Sequence, residues 1–220
     1  VIPSDLLDPR IIQRHAWSIY SQNGEDGVLA YLTSLFDFDR TCVEIGGNLV
    51  DGNPECNTAN LITNGWTGLI YDCSEIVHPW FKQKVVTIDN INDLVRKRQG
   101  VLSIDVDGND YWLWKACNAT PEIVIVEHNS AISGKSAMPY DPDFRWGGTD
   151  YFGASYDAMI DLGRNKGYTL VFVEAALNMF FLRNDLVDFR ILPSMYRGLL
   201  KNNAVTRHPT DRSGRKYLEV

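Results

Sequence analysis

Short apolar runs alternate with helical patterns along nearly the whole chain. The runs fall at about 42–46, 67–72, 84–88, 101–105 and 122–127, and each ends in or near an acidic residue. Between them, apolar positions recurring at helical spacing predict helices at about 24–36, 55–64, 91–98, 110–117 and 154–166. Such alternation implies parallel strands joined by helical crossovers, with helices on both faces of the sheet. Two later β-rich segments, Tyr168 to Glu174 and Asn178 to Arg183, are separated by only Ala175-Ala176-Leu177 and predict an antiparallel hairpin. The expected fold is therefore α/β: a Rossmann-like, doubly wound, mostly parallel sheet closed by a C-terminal hairpin. The segment 129–153 is long and irregular, the pattern of a lid or binding loop.

No repeat or low-complexity linker divides the sequence, so residues 1–220 are read as a single domain ending in a basic tail, 194–220. That tail holds Arg197, Lys201, Arg207, Arg212, Arg215 and Lys216, and the expectation is a solvated or partner-docked segment rather than an anion-binding arm. The 220 residues are 45% hydrophobic and 22% charged, which suffices for a core without a metal or disulfide. Any metal site would then serve function. With 21 Lys and Arg against 28 Asp and Glu, the formal charge is −7 and no long basic run exists, so nucleic acid is not an expected partner. No apolar stretch reaches the roughly 20 residues that cross a bilayer, so no membrane is expected either. Cys42, Cys56, Cys73 and Cys117 form no C-x-x-C pair and are read as reduced thiols of a cytoplasmic protein.

Ligands of doubly wound sheets bind outside the carboxyl ends of the strands. Glu44, Asp72, Asp89, Asp105, Asp107 and Glu127 gather at those ends here, which makes them a candidate functional cluster. The turn after the first strand, Glu44-Ile45-Gly46-Gly47-Asn48, lets backbone approach a ligand closely. Asn48 stands where a dinucleotide fingerprint needs its second glycine, so a bound pyrophosphate is disfavoured. Asp72 at the end of the second strand suits a carboxylate that accepts both hydroxyls of a ribose. A nucleoside-containing ligand fits both features.

These elements, together with Ser21-Gln22-Asn23-Gly24-Glu25-Asp26 and Asp105-Val106-Asp107-Gly108, make residues 20–185 resemble the class I S-adenosylmethionine-dependent methyltransferases, and more closely their FkbM-like branch. Segments 55–62 and 107–112 also resemble a group of bacterial proteins of unsettled function. The resemblance implies that Glu44, Gly46 and Asn48 border the methionine part of S-adenosylmethionine, that Asp72 holds its ribose, that Asp89 or Asn90 meets its adenine edge, and that Gln22 reaches the same pocket. Two departures from the family pattern are Val50 in place of a glycine and an apparent insertion, Asp51-Gly52-Asn53-Pro54.

Asp105, Asp107, Asn109 and Asp110 follow the fourth strand, and Glu127-His128-Asn129 follow the fifth. Neighbouring strands lie about 4.8 Å apart, so acids at their ends can share one cation. Asp105, Asp107, Glu127 and His128 are the expected ligands, and this oxygen-rich set suits Mg²⁺ or Mn²⁺. The arrangement resembles that of metal-dependent natural-product O-methyltransferases. The segment Asp105-Val106-Asp107-Gly108-Asn109-Asp110 also opens like an EF-hand loop, but Ala116 occupies the twelfth position, where that loop needs Glu. Asp107 to Asp110 serve equally well as caps of a strand-to-helix turn.

His128 and Asp107 are the expected catalytic groups, accepting a proton from a substrate hydroxyl. Trp112 and Trp114 cannot share one helix face, so one is expected against the sheet and the other against a partner or a lid. The resulting expectation is metal-assisted methyl transfer to a hydroxyl of a small-molecule or sugar-like substrate. The 129–153 loop, or a second copy in a homo-oligomer, would cover the pocket. A different metal-dependent enzyme on the same fold, and a non-catalytic binding subunit, stay open at this point.

Overall fold

The computed structural model describes residues 1–175, 177–188 and 208–220. In chain order its elements are a 3₁₀ turn (Ser4–Leu7), α1 (Pro9–Arg14), α2 (Glu25–Ser34), β1 (Thr41–Ile45), β2 (Asn48–Val50), β3 (Asn53–Glu55), α3 (Ala59–Thr63), β4 (Thr67–Asp72), β5 (Phe81–Gln83), α4 (Ile91–Leu94), β6 (Val101–Ile104), α5 (Asp110–Ala116), β7 (Ile123–Glu127), β8 (Ser136–Ala137), α6 (Tyr156–Asn165), β9 (Tyr168–Glu174), β10 (Asn178–Arg183), a second 3₁₀ turn (Asn184–Leu186) and β11 (Leu218–Glu219). Seven strands form one sheet in the order β5-β4-β1-β6-β7-β10-β9. The pairs from β5 to β7 are parallel, and β10 runs antiparallel to both of its neighbours.

The centre of the sheet forms where the sequence is most apolar: Val101, Leu102, Ile104 and Ile123 to Val126 have no exposed surface. Burial of that kind contributes about 1.5–3 kcal/mol per large side chain and fixes the central strands first in energetic order. One sheet face receives Trp114 of α5 and Gly163 of α6, both against Phe181. The opposite face carries Ser103 bonded by Asn57 ahead of α3, and Asn178 bonded by Glu25 of α2. Helices therefore cover both faces. Trp114 is buried, while the indole of Trp112 donates to the Met138 carbonyl in the irregular loop at 2.7 Å, the division expected of the pair.

Several boundaries differ from the sequence reading. The strand expected at 84–88 is instead β5 at Phe81–Gln83, an edge strand anchored by buried Phe81, and Val85 is 45% exposed. The helix expected at 55–64 shrinks to α3 because 48–55 folds as a hairpin. Its tip is Asp51-Gly52, both at positive φ (52° and 81°), the two-residue turn that matches strand twist. The apparent insertion is this hairpin. The helix expected at 91–98 is the short α4, and α1, opened by the Asp8 cap and Pro9, was not expected at all.

Residues 208–220 do not extend into solvent. β11 pairs with β8, Arg215 lies 4.1 Å above the Tyr151 ring and pairs with Asp211 at 3.0 Å, and the Tyr217 hydroxyl donates to Asp150 O at 3.0 Å. This part of the basic tail thus docks on the chain's own loop. Arg212 and Lys216 remain exposed, and Arg197, Lys201 and Arg207 lie outside the described residues. Among the described residues no helix is long and apolar enough to cross a membrane.

Candidate functional site

The site begins with the turn after β1. Gly46 has φ +86°, its N–H donates to Tyr71 O at 2.8 Å, and a Cβ there would stand 1.6 Å from the Asp105 carbonyl oxygen. The missing side chain lets the ends of β1, β4 and β6 converge. Around them opens a cavity of about 480 Å³, lined from the turn by Glu44, Gly46, Gly47 and Asn48, from β4 by Asp72, and from the later strands by Asp105, Asp107 and Glu127.

Glu44 is almost fully buried. Its Oε1 accepts from Asn57 N, and its Oε2 accepts from Thr58 N and Thr58 Oγ1 at 2.8 and 2.6 Å. These donors lie where α3 begins, where unpaired amides favour an acid. Burial pushes the Glu44 carboxyl up to about 7 against those bonds. Glu44 therefore shapes the cavity floor by holding α3 to β1. Asp72 is half-buried, with Oδ1 accepting from Ser74 N at 2.7 Å, so its carboxylate is aimed by backbone rather than by a cation. Gln22 also lines the cavity and donates to Glu55 at 2.9 Å.

Asp89 and Asn90 do not line this cavity. Asp89 is exposed, and the Asn90 side chain closes its own turn, accepting from Thr87 N and donating to Val85 O at 3.0 Å each. The cause is β5, which ends at Gln83, so Lys84, Val85 and Val86 form the wall that the later acids were expected to supply.

Asp105, Asp107 and Glu127 offer carboxylate oxygens within 4.8 Å of one another. Register explains the meeting: Ile104 pairs with Val126, so the next residues, Asp105 and Glu127, are neighbours on one face. Asp107 sits at the mouth with φ +55°, a left-handed conformation uncommon for a side-chain-bearing residue. Asp110 is instead consumed as a cap, its oxygens accepting from Val106 N and Gly108 N at 2.8 Å each. Burial first, then like charge from the neighbouring acids, raises the pKa values of Asp105 and Glu127, and burial raises that of Asp107. Oε2 of Glu127, a residue 8% exposed, has no hydrogen-bond partner among the described residues. Like charges confined this way favour a cation, which removes the repulsion.

His128 does not join them. Side chains alternate along a strand, so a Glu127 on the cavity face sends the next residue to the other face. His128 is 3% exposed beneath α6, its Nδ1 lies 2.6 Å from Leu177 O, and its ring meets Tyr156 edge-on at 5.8 Å. Burial lowers its pKa to about 4. The expected roles as ligand and proton acceptor are corrected to a structural one. His128→Leu should cost about 0.5–1.5 kcal/mol in thermal or urea unfolding, through the lost ring hydrogen bond to Leu177 O, which keeps the backbone N–H of residue 128 at 2.9 Å, and leave Mn²⁺ affinity unchanged. A Mn²⁺ affinity lowered tenfold would contradict the geometry.

Two contributors were missed by the sequence reading: Glu25 and Asn178 line the cavity from α2 and β10. The irregular loop, read there as a cover of the pocket, adds Phe144, Arg145 and Trp146 to the lining. For Asn178 the signal was available, since a hairpin strand beside β7 must place a residue opposite Glu127. The loop is held to the site by Asn109, whose Nδ2 donates to Asp141 O at 2.7 Å, and by Asn129, which donates to Asp150 O and Phe152 O. Among the described residues that line the cavity, the acids Glu25, Glu44, Glu55, Asp72, Asp105, Asp107 and Glu127 outnumber the cations Lys84 and Arg145. The cavity suits a ligand carrying positive charge. No protein-family model matches the chain, and no curated protein matches it significantly.

Proposed function

We propose that the protein is an S-adenosylmethionine-dependent methyltransferase, assisted by a divalent cation and acting on a hydroxyl of a small-molecule or sugar-like substrate. The observation that carries this reading is one cavity holding the Gly46 turn, the Asp72 carboxylate and the Asp105, Asp107, Glu127 group together. Strand order supports it. Numbered among themselves, the seven strands run 3-2-1-4-5-7-6 with the seventh reversed. This is the 3-2-1-4-5-6 order of a Rossmann-like dinucleotide-binding sheet with a hairpin strand inserted before the last, as expected of the class I methyltransferases that the motifs resemble. The cavity lies at the switch point of that order, between β1 and β6.

The residues present fit both groups. The cavity volume falls within the about 300–1,000 Å³ usual for small-molecule sites, and its acidic lining complements a sulfonium. Asp72 would take the ribose hydroxyls, and the Gly46 to Asn48 turn with Gln22 would border the methionine part. Asp105, Asp107 and Glu127 would hold Mg²⁺ or Mn²⁺ through oxygen. When bound, S-adenosylmethionine supplies an activated methyl group and the cation supplies charge that acidifies the acceptor hydroxyl. Asp107, the exposed member of the acid group, would take the hydroxyl proton at the carboxylate oxygen not turned to the cation. Phe144 and Trp146 exclude water from the mouth side.

Isothermal titration with S-adenosylmethionine and S-adenosylhomocysteine, repeated with Mn²⁺ and with chelator, tests this. Binding of both is expected, and Asp72→Ala should weaken it by about 1.5–3 kcal/mol, roughly 10- to 100-fold. No heat with either nucleoside would end the methyltransferase reading.

A further inference from the structure

We propose that Asn178 supplies a fourth oxygen ligand to the cation site of Asp105, Asp107 and Glu127, and that Glu25 turns the Asn178 amide so that its oxygen faces that site. The proposal rests on the cation reading above and adds a ligand from a strand outside the acid group.

The observations are independent of the acids. Asn178 pairs directly with Glu127 in the β10–β7 register, and residues so opposed carry Cβ atoms about 4.5–5.5 Å apart on one face. Asn178 is 4% exposed and lines the cavity, yet its Oδ1 has no hydrogen-bond partner among the described residues. A buried amide oxygen without a donor is destabilising, so its retention calls for something electropositive in front of it. The neighbouring Glu127 Oε2 is orphaned in the same way.

Amide oxygen and nitrogen are told apart by their partners. Here Asn178 Nδ2 donates to Glu25 Oε1 at 3.1 Å, and a carboxylate can only accept, so Oδ1 is the atom left for the cavity. Glu25 is itself immobilised: it is fully buried, and its Oε2 accepts from Asn23 N and Gly24 N at 2.9 and 3.0 Å. The turn before α2 thereby sets the aim of a side chain on β10. Three carboxylates and one amide carbonyl form an all-oxygen donor set, which selects a hard cation such as Mg²⁺ or Mn²⁺ over zinc.

The test is Mn²⁺ titration of the full chain and its variants, each checked for folding by thermal denaturation. Asn178→Ala is expected to weaken Mn²⁺ binding 10- to 100-fold, the range seen when a ligand or its orienting partner is lost. Glu25→Gln is expected to weaken it less, and to add little in the Asn178→Ala background, because it acts through that amide. The paired change Glu25→Gln with Asn178→Asp restores the bond with donor and acceptor exchanged, keeps an oxygen toward the site and is expected to recover binding. This pair also keeps the test decisive if Asn178→Ala fails to fold. Unchanged Mn²⁺ affinity in folded Asn178→Ala, or no recovery in the pair, with Asp105→Asn losing the metal, would overturn the ligand role alone. No Mn²⁺ binding by the unaltered protein would overturn the cation reading and this proposal with it.

Discussion

Replacing Asp105 by asparagine is expected to raise the melting temperature of the metal-free protein at pH 8 while abolishing its Mn²⁺ binding. Asp105 is held at the end of β6 with its pKa well above the usual carboxylate range, through burial first and then the charges of Asp110, Asp107 and Glu44. A carboxyl whose pKa is raised by folding binds its proton more tightly in the folded state. Its favourable contribution is therefore present below the unfolded pKa of about 4 and is lost as pH rises through the raised folded value. At pH 8, far above the unfolded value, the metal-free folded chain must either hold a proton on Asp105 or bear the repulsion, and asparagine avoids both without changing shape. The expected gain is about 1–3 kcal/mol, or roughly 3–8 °C for a chain of this size, and it should shrink toward pH 5. Differential scanning calorimetry at both pH values with chelator checks it, and Mn²⁺ should stabilise only the unaltered protein. An equal melting temperature at pH 8 would mean that the acids are not crowded as described.

The largest loss of stability is expected from Gly46→Ala. Two costs combine there: φ of +86°, which a side chain adopts poorly, and a Cβ position 1.6 Å from the Asp105 carbonyl oxygen. The second cannot be relieved by a rotamer, because the backbone fixes where the Cβ stands and the oxygen it meets is itself backbone, so the ends of β1 and β6 must part. A destabilisation above about 4 kcal/mol follows, within the rare class of severe single substitutions. Gly52 is the control, since it has φ +81° with nothing within 4 Å of its Cβ position. Gly52→Ala should cost only the conformational part, about 1–2 kcal/mol. Urea unfolding of the two variants separates them, and equal losses would refute the close approach of β1 to β6.

What the sequence revealed and what it hid follow from length and from parity. β1, β4, β6 and β7 were legible because each is four to six residues long and mostly apolar, with β-branched or aliphatic residues at its centre. β5 was displaced because an edge strand of Phe81–Gln83 buries one residue, while the neighbouring Val85 and Val86 imitate a core run. The β2–β3 hairpin carried its signal in Asp51-Gly52, but its strands bury too little to show a pattern. Of the candidate site, Asp105, Asp107 and Glu127 were readable as acids at the ends of adjacent strands. His128 was misplaced by reading Glu127-His128 as a pair, although a period of two separates consecutive residues. Asn178 escaped because a neutral amide gives no charge signal. Only the register of β10 against β7 brings it to the acids.

The clasp between residues 208–220 and the irregular loop has a consequence for how the protein is made. Synthesis runs from the N-terminus at about 5–20 residues per second, so every acid of the cavity has left the peptidyl transferase centre before β11 is translated. The loop bearing Phe144 to Trp146 has no β11 to pair with β8 and no Arg215 to stack on Tyr151 until then. For several seconds the nascent chain presents an acidic groove with its lid unpinned, open to any cation or basic peptide nearby. The loop over the cavity is pinned only once β11 has been made and has paired with β8.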